Sequence, residues 1–287
     1  KNKNTSNICS CFLEKSLRLA KYVALVFPKF LLNTPEFSTT RAELAQKSVD
    51  AILDFGEKGF PGILVETIAI FINNLAAPAN TKVFSLTHRL HLTQPQAYIF
   101  DPELPYWIIY RNQLFDSVCR KLDFDVFEVF RDRQLTNKLL SSSGELRVLK
   151  SRNLSDDGKE ILNIPGYDSY ISYAAAKPLS VFQYLDAPNV YLTPNMTYKP
   201  RMMKKPPHCV VNGSLAILIP KGGIVPTEKQ LAYFSSEEYR AFYQIARNFQ
   251  TRSLNVDACS VFFYGLLRDE AKPAPEKFDT SVQLSFL

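Results

Sequence analysis

The residues with chemistry to offer in this sequence are cations, side-chain amides and aromatic rings set close together. Between Asn195 and Asn255 stand nine cations (Lys199, Arg201, Lys204, Lys205, Lys221, Lys229, Arg240, Arg247, Arg252) against three anions (Glu228, Glu237, Glu238). This stretch therefore carries the whole net charge of +6, and the rest of the chain is neutral. Such asymmetry points to a polyanionic partner, the alternative being a solvated Lys/Arg face. Within it, Asn195, Tyr198, Lys199, Arg201, Lys204 and Lys205 are interleaved with Pro194, Pro200, Pro206 and Pro207. Proline-stiffened loops present side chains at little ordering entropy, so these cations suit phosphates, and Arg201 or Asn195 suits a base edge in the major groove. Lys150, Arg152 and Asn153 follow a short apolar run, Gln250, Arg252 and Asn255 follow a helix signal, and Arg131 and Arg133 follow another run. Loop-borne donors of this kind suit groove contacts, a solvated or structural role being the alternative for each.

Other chemistries find less material. His88 and His91 lie three apart on a strand-like stretch, which puts them on opposite faces with no Cys beside them, and this disfavours a zinc site. The five Cys contain no C-x-x-C, and Cys9 and Cys11 read as reduced thiols. No Gly-x-Ser-x-Gly elbow occurs, and three His leave little for a nucleophile-base pair. Asp54, Glu57 and Glu66 are close enough in sequence for a nuclease-like carboxylate cluster around a metal, but no Glu-x-Lys follows an acidic strand end. Neither G-x-G-x-x-G nor a phosphate-cradling G-x-x-x-x-G-K-[ST] is present, and Gly56-Glu-Lys-Gly59 is too short to serve.

The elements that must position these residues fall into two textures. Ile8 to Leu19 repeats apolar residues at helical spacing, and Tyr22 to Phe27 is continuously apolar, so a helix feeds a buried strand. Ser38-Thr39-Thr40 can cap a helix through Arg41 to Lys47, and Val49 to Phe55 and Leu64 to Ile72 predict two more strands. Strands without polar alternation suggest a sheet covered on both faces, hence α/β. Three strands and two helices do not complete a doubly wound domain, so a bare sheet edge here must pair with another polypeptide or a removed part of its own. Short strands over Thr81 to Pro105 and a helix over Ile109 to Leu122 follow. Beyond Asp123, short apolar runs separated by Pro, Asn, Gly and Asp predict a mostly β second domain. Ser235 with Glu238 fits a capping box opening a helix through about Phe249.

With 287 residues, 46% of them hydrophobic, the chain holds enough apolar material for a sizeable core and two domains. No apolar run reaches the roughly 18 residues of a membrane span. A soluble protein of the reducing cytoplasm is the simplest expectation, Lys1-Asn2-Lys3-Asn4 lacking a signal-type apolar segment.

Two resemblances sharpen this reading. Leu13-Glu14-Lys15, Val23 to Pro28 with Phe30-Leu31-Leu32, Ile52-Leu-Asp-Phe-Gly56, Phe60-Pro61 and Glu66-Thr67-Ile68-Ala69-Ile70 resemble the later half of the catalytic domain of TaqI-type adenine-N6 DNA methyltransferases of restriction–modification systems. Asp125 to Arg133, Val148 to Asn153, Thr197 to Arg201, Phe234 to Glu238 and Arg252 to Leu254 resemble the target-recognition domains that follow such catalytic domains and also build type I specificity subunits.

The resemblance implies an α/β remnant of a Rossmann-like methyltransferase domain over residues 1–120 and a mostly β (α+β) target-recognition domain over residues 121–287. It implies double-stranded DNA as partner and no membrane. It further implies that Phe60 stacks on a flipped adenine, filling the core beside Pro61 being the alternative. The departure matters as much, because the acidic and Gly-rich cofactor motifs and an N-P-P-Y or D-P-P-Y are absent. S-adenosylmethionine would then serve the complete enzyme from a missing N-terminal methyltransferase half, in the same gene or a separate subunit. This chain alone is expected to bind no methyl donor and to be inactive. The alternative is a non-catalytic DNA specificity subunit recruiting separate modification and restriction subunits.

Overall fold

A computed structural model describes residues 7–250 and 255–269. They sort into two units, one of residues 7–117 with 244–250 and the other of residues 118–243 with 255–269. The fold class is mixed α/β with several sheets.

The first unit opens with helix α1 (Ile8–Leu19), started by the Asn7 side chain, which accepts from the Cys9 amide at 3.0 Å. Strand β1 (Tyr22–Pro28), helix α2 (Ser38–Ala45) and strand β2 (Ser48–Gly56) follow, then β3 (Thr67–Asn73), β4 (Asn80–Ser85), β5 (Leu90–Pro95), a single turn α3 (Gln96–Ile99) and helix α4 (Gln113–Lys121). The sheet order is β1-β3-β2-β4-β5, with β2 and β4 parallel and the other pairs antiparallel. Its core gathers Ile52, Ile68, Ile70 and Val83, with Leu31, Phe37 and Leu44 buried beside them.

Sequence patterning located α1, β1 and β2 closely and misjudged three neighbours. Leu64 is not in a strand: β3 starts at Thr67, and Ile63, Leu64 and Val65 are exposed in the loop before it. The helix expected from Ile109 begins only at Gln113, because the Asn112 side chain caps it by accepting from Phe115 N–H, while Ile109 N–H goes to the Asn248 amide oxygen. His91 lies on β5, but His88 sits in the turn before it. Strand β1 is also less covered than its apolar composition suggests: Tyr22, Ala24 and Val26 are exposed, and no other strand of the described residues lies beyond its outer edge. With Ile8, Phe12 and Leu19 of α1 exposed as well, much apolar surface of this unit stands open.

At the carboxyl ends of β1 and β2 a buried polar cluster closes the sheet. Lys29 Nζ meets Asp54 Oδ2 at 2.6 Å, the Tyr110 hydroxyl donates to the same oxygen, and Gly56 N–H donates to Asp54 Oδ1 at 2.8 Å. Gly56 has φ of +55°, and a Cβ there would lie 2.3 Å from the Thr87 hydroxyl, so the bulge that lets its amide turn back needs glycine. Burial and the Asp54 charge push the Tyr110 phenol well above its ordinary pKa, keeping it a donor. His88, edge-on to Tyr110, is held below its ordinary pKa by burial and by Lys29, so it stays neutral.

The second unit contains β6 (Leu122–Asp123), β7 (Phe127–Phe130), β8 (Leu146–Leu149), β9 (Ser169–Ile171), a turn of helix α5 (Tyr173–Ala176), β10 (Tyr191–Pro194), β11 (Met203–Lys204), β12 (Cys209–Val211), β13 (Leu215–Pro220), helix α6 (Glu228–Tyr233) and β14 (Leu266–Leu267). Helix α7 spans Glu237–Ala246. A four-stranded antiparallel sheet, β11-β10-β13-β7, shares one core with a three-stranded sheet, β12-β8-β9, through Val148, Leu149, Leu192, Val210, Val211 and Ile217. A second, aromatic cluster joins Phe234, Tyr239, Phe242, Phe263 and Tyr264. Its hydroxyls are satisfied internally, Tyr239 donating to the Phe263 carbonyl at 3.1 Å and Tyr264 meeting Thr193 at 3.1 Å.

The expected Ser235–Glu238 capping box is not formed. Ser236 accepts from Tyr239 N–H at 3.1 Å instead, and Glu238 takes up Lys121 and the Tyr233 hydroxyl. Helix α7 stops short of Phe249, because Asn248 and Phe249 have left-handed φ of 51° and 54°.

Replacing Lys29 by Met should strand the Asp54 carboxylate inside the first unit. The expected loss is about 3–5 kcal/mol, read by denaturant unfolding of the whole chain. An unchanged midpoint would mean the pair holds nothing together.

Candidate nucleic-acid interface

In the second unit β7 and β10 both run antiparallel to β13, so their carboxyl ends emerge beside the start of β13. The turn Asn212-Gly213-Ser214 lies there and roots three loops. Asn195 N–H donates to the Ser214 carbonyl at 3.0 Å, Ser151 N–H to the Ser214 hydroxyl at 3.0 Å, and Asn212 N–H to the Leu149 carbonyl at 3.0 Å. The loop after β7 presses against the same turn: a Cβ on Gly213 would sit 2.6 Å from the Asp132 carbonyl oxygen, which only glycine avoids. Loops 131–135, 150–153 and 195–200, far apart in sequence, therefore meet at one end of this unit.

Asn195 ties the assembly. Its Nδ2 donates to the Asn255 amide oxygen at 2.8 Å and to the Gly213 carbonyl at 3.2 Å, and its Oδ1 accepts from Val256 N–H at 3.0 Å. Arg201 pins the exit of the same loop, Nη1 donating to the Lys199 carbonyl at 2.9 Å and Nη2 to those of Ser151 and Leu154 at 3.1 and 3.3 Å. Burial draws the Arg201 guanidinium below its ordinary pKa, against the pull of Asp156. Asn153 bonds Asp168 at 2.7 Å and the Leu162 carbonyl at 3.1 Å, and accepts from Lys150 N–H at 2.9 Å. The Lys150 ammonium reaches the Tyr167 carbonyl and the Ser169 hydroxyl. Lys205 is buried with its ammonium on the Leu185 and Pro206 carbonyls at 2.7 and 2.9 Å, and burial lowers its pKa.

The candidates thus divide into two sets. Asn153, Asn195, Arg201 and Lys205 turn inward and build the loops, and Lys150 is engaged along its backbone contacts. This corrects the expectation that Arg201 or Asn195 reads a base edge: both side chains are buried, and the Arg201 Nη atoms and the Asn195 amide donate to main-chain and amide oxygens of their own unit. Arg133, Arg152, Tyr198, Lys199 and Lys204 are exposed. Arg152 lies 4.7 Å over the Tyr167 ring, with Lys150 4.1 Å from the same ring, and Lys199 is paired with Asp156 at 2.7 Å in solvent. An exposed pair of that kind is readily exchanged for a phosphate. Arg131 stands beside Arg133, and burial and that second cation lower its pKa.

Gln250 falls in the first unit, buried, where its amide donates to the Lys29 carbonyl at 3.0 Å and to Asn33 at 2.7 Å, so it too is a packing residue. Arg252 lies outside the described residues. Phe60, in the loop between β2 and β3, is 47% exposed and does not plug the core. Asp54, of the suggested carboxylate cluster, is taken up by Lys29 and Tyr110, and the described residues hold no group of three metal-ligating side chains.

Sequence reasoning missed Tyr167 and Met196. The signal for Met196 was an apolar residue inside an otherwise polar, proline-bounded segment; nothing local marks Tyr167, which meets Arg152 only through the fold. Beside this end, loop 157–159, β11 and α6 enclose a cleft of about 770 Å³ lined by Lys159, Lys204 and Lys229 together with Asp157 and Glu228.

Asp168 steadies loop 150–153. Burial raises the pKa of its carboxyl, but Ile164 N–H, Asn153 and Arg147 outweigh this and hold it below the usual carboxylate range. Stability from this group is present above the unfolded pKa and lost as pH falls through the folded one. The wild-type chain should therefore lose thermal stability as the pH falls below about 4, and D168N should be less stable at neutral pH and flatter over that acid range.

Comparison with known proteins locates the fold. No protein-family model matches the sequence, and no curated protein matches it. Among solved structures, the chain is similar to the type IIL restriction–modification enzyme MmeI, solved in complex with DNA: 10% identity, a TM-score of 0.50, and coverage of 91% of this chain and 42% of that one. The type IIG restriction endonuclease BpuSI gives 9% identity, a TM-score of 0.36 and coverage of 90% of this chain and 41% of that one. The chain thus spans less than half the length of these structures, and at such identity what it shares with MmeI is the fold over that part.

Proposed function

We propose that this chain recognises a DNA sequence within an S-adenosylmethionine-dependent adenine-N6 methyltransferase of a restriction–modification system. The second unit supplies target recognition, and the first supplies part of the flipped-adenine pocket. The observation that carries this reading is the meeting of three loops at one end of the second unit, with Arg133, Arg152, Tyr198 and Lys199 exposed there. A groove-reading surface needs phosphate-seeking cations placed beside side chains that touch bases. The fold shared with MmeI, an enzyme solved in complex with DNA, agrees with it.

The residues of the first unit do not fit a methyl donor by themselves. Asp54, the carboxylate at the carboxyl ends of the strands, is fully buried and held by Lys29, Tyr110 and Gly56 of its own unit, so it presents no oxygen to a ribose or amino group from outside. In this proposal the donor is held by an N-terminal methyltransferase half, which pairs with the open outer edge of β1 and covers Tyr22, Val26, Phe12 and Leu19. Phe60, exposed on its loop, is then free to lie against the extruded adenine, a stacking contact of roughly 1–3 kcal/mol.

About four exposed cations meeting phosphates would give log Kd against log salt a slope near 3.6 in magnitude. Changing Arg133 and Arg152 to Ala should lower that by about 1.8. With the N-terminal half and S-adenosylmethionine added, adenine methylation should appear, and F60A should cut turnover while sparing duplex binding. Methylation indifferent to F60A removes the stacking role. Binding without any methylation in the reconstituted mixture favours a non-catalytic specificity subunit.

A further inference from the structure

The tip of loop 195–200 carries two side chains that the fold neither buries nor pairs. Met196 is 54% exposed and Tyr198 is 53% exposed, while every anchor of the loop is buried. Asn195 holds its root through Asn255, Gly213 and Val256, and Arg201 holds its exit through three carbonyls. Between them Thr197 closes a tight turn, its hydroxyl accepting from Lys199 N–H at 3.0 Å and donating to the Lys199 carbonyl at 2.9 Å. Pro194 and Pro200 bracket the segment. A loop so tied cannot fold its thioether and phenol back onto the protein, so both stay in water until a partner arrives.

The neighbourhood says what that partner is. Lys199 follows the tip directly, and the loops bearing Arg152 and Arg133 rest on the same Asn212–Ser214 turn that roots it. Cations flanking an apolar tip match a duplex, whose phosphates line the outside and whose only large apolar surface is the base stack. An apolar protein groove would leave the guanidinium groups of Arg133 and Arg152 without complement.

Resting on the DNA-recognition reading above, we infer that Met196 and Tyr198 form a wedge that enters the target duplex and unstacks a base step. Lys199 and the neighbouring arginines hold the flanking phosphates. A thioether and the face of a phenol ring find no complement on the phosphate backbone, and both pack well against the face of a base. The rigidity of the loop means that the unstacking is driven by the protein, with little ordering cost paid on binding.

The test uses the whole chain and the duplex it selects from a randomised pool, with 2-aminopurine placed in turn at each position. One step should brighten several-fold on binding. The M196A/Y198A double variant should bind roughly ten- to hundredfold more weakly, lose the brightening, and keep the salt slope, since no charge is removed. Both wedge residues are exposed, so the melting temperature of the double variant should match the wild type. Brightening that survives in M196A/Y198A, or wild-type binding with no brightening at any position, overturns the wedge and leaves the DNA reading standing. A wild-type chain that selects no duplex overturns both.

Discussion

The second unit depends on one turn. Asn212-Gly213-Ser214 offers a carbonyl, a hydroxyl and a side-chain-free backbone face within a few residues, and three loops close on it. Asn195 completes the knot by spending its whole amide on neighbours from residues 213, 255 and 256. Because β7 and β10 are both antiparallel to β13, their loops have no other place to go than this end. The antiparallel register of three short strands thus decides which distant side chains become neighbours, and the hydrogen bonds at the turn fix the geometry that the register allows.

That arrangement changes the meaning of the basic stretch. Its positive charge is partly structural: Arg201 and Lys205 are drawn inside, where they donate to main-chain carbonyls that would otherwise be buried without these donors. What remains outside is a smaller set of cations around a rigid apolar tip. In the proposed reading the exposed charge provides attraction and orientation at a distance, whereas the inward-turned cations tie down the loops that carry it.

The first unit poses the complementary problem. Lys29, Asp54 and Tyr110 close the carboxyl ends of its strands with a buried, mutually paired polar cluster. At β1, by contrast, no strand of the described residues pairs with the outer edge, and Tyr22, Ala24 and Val26 are exposed. Soluble proteins usually blunt such edges with charge, Pro or a covering element. Here Pro28 stands only at the far end of the strand, and the exposed apolar residues of α1 continue the open surface.

By itself the sequence determined the local elements and the location of the charge. Ile8 to Leu19, Tyr22 to Phe27 and Val49 to Phe55 could be read because helix and strand periods are set by near neighbours. The charge asymmetry after Asn195 could be read because charge is additive along a chain. Only the tertiary structure decided which cations face outward, because Arg201 is buried by carbonyls at Ser151 and Leu154, some fifty residues away, and Gln250 by Lys29 and Asn33. The same holds for Met196: its type alone does not place it, and it becomes a surface tip because Asn195 and Arg201 are anchored on either side of it. Burial is a property of partners, and partners distant in sequence leave no local periodicity to read.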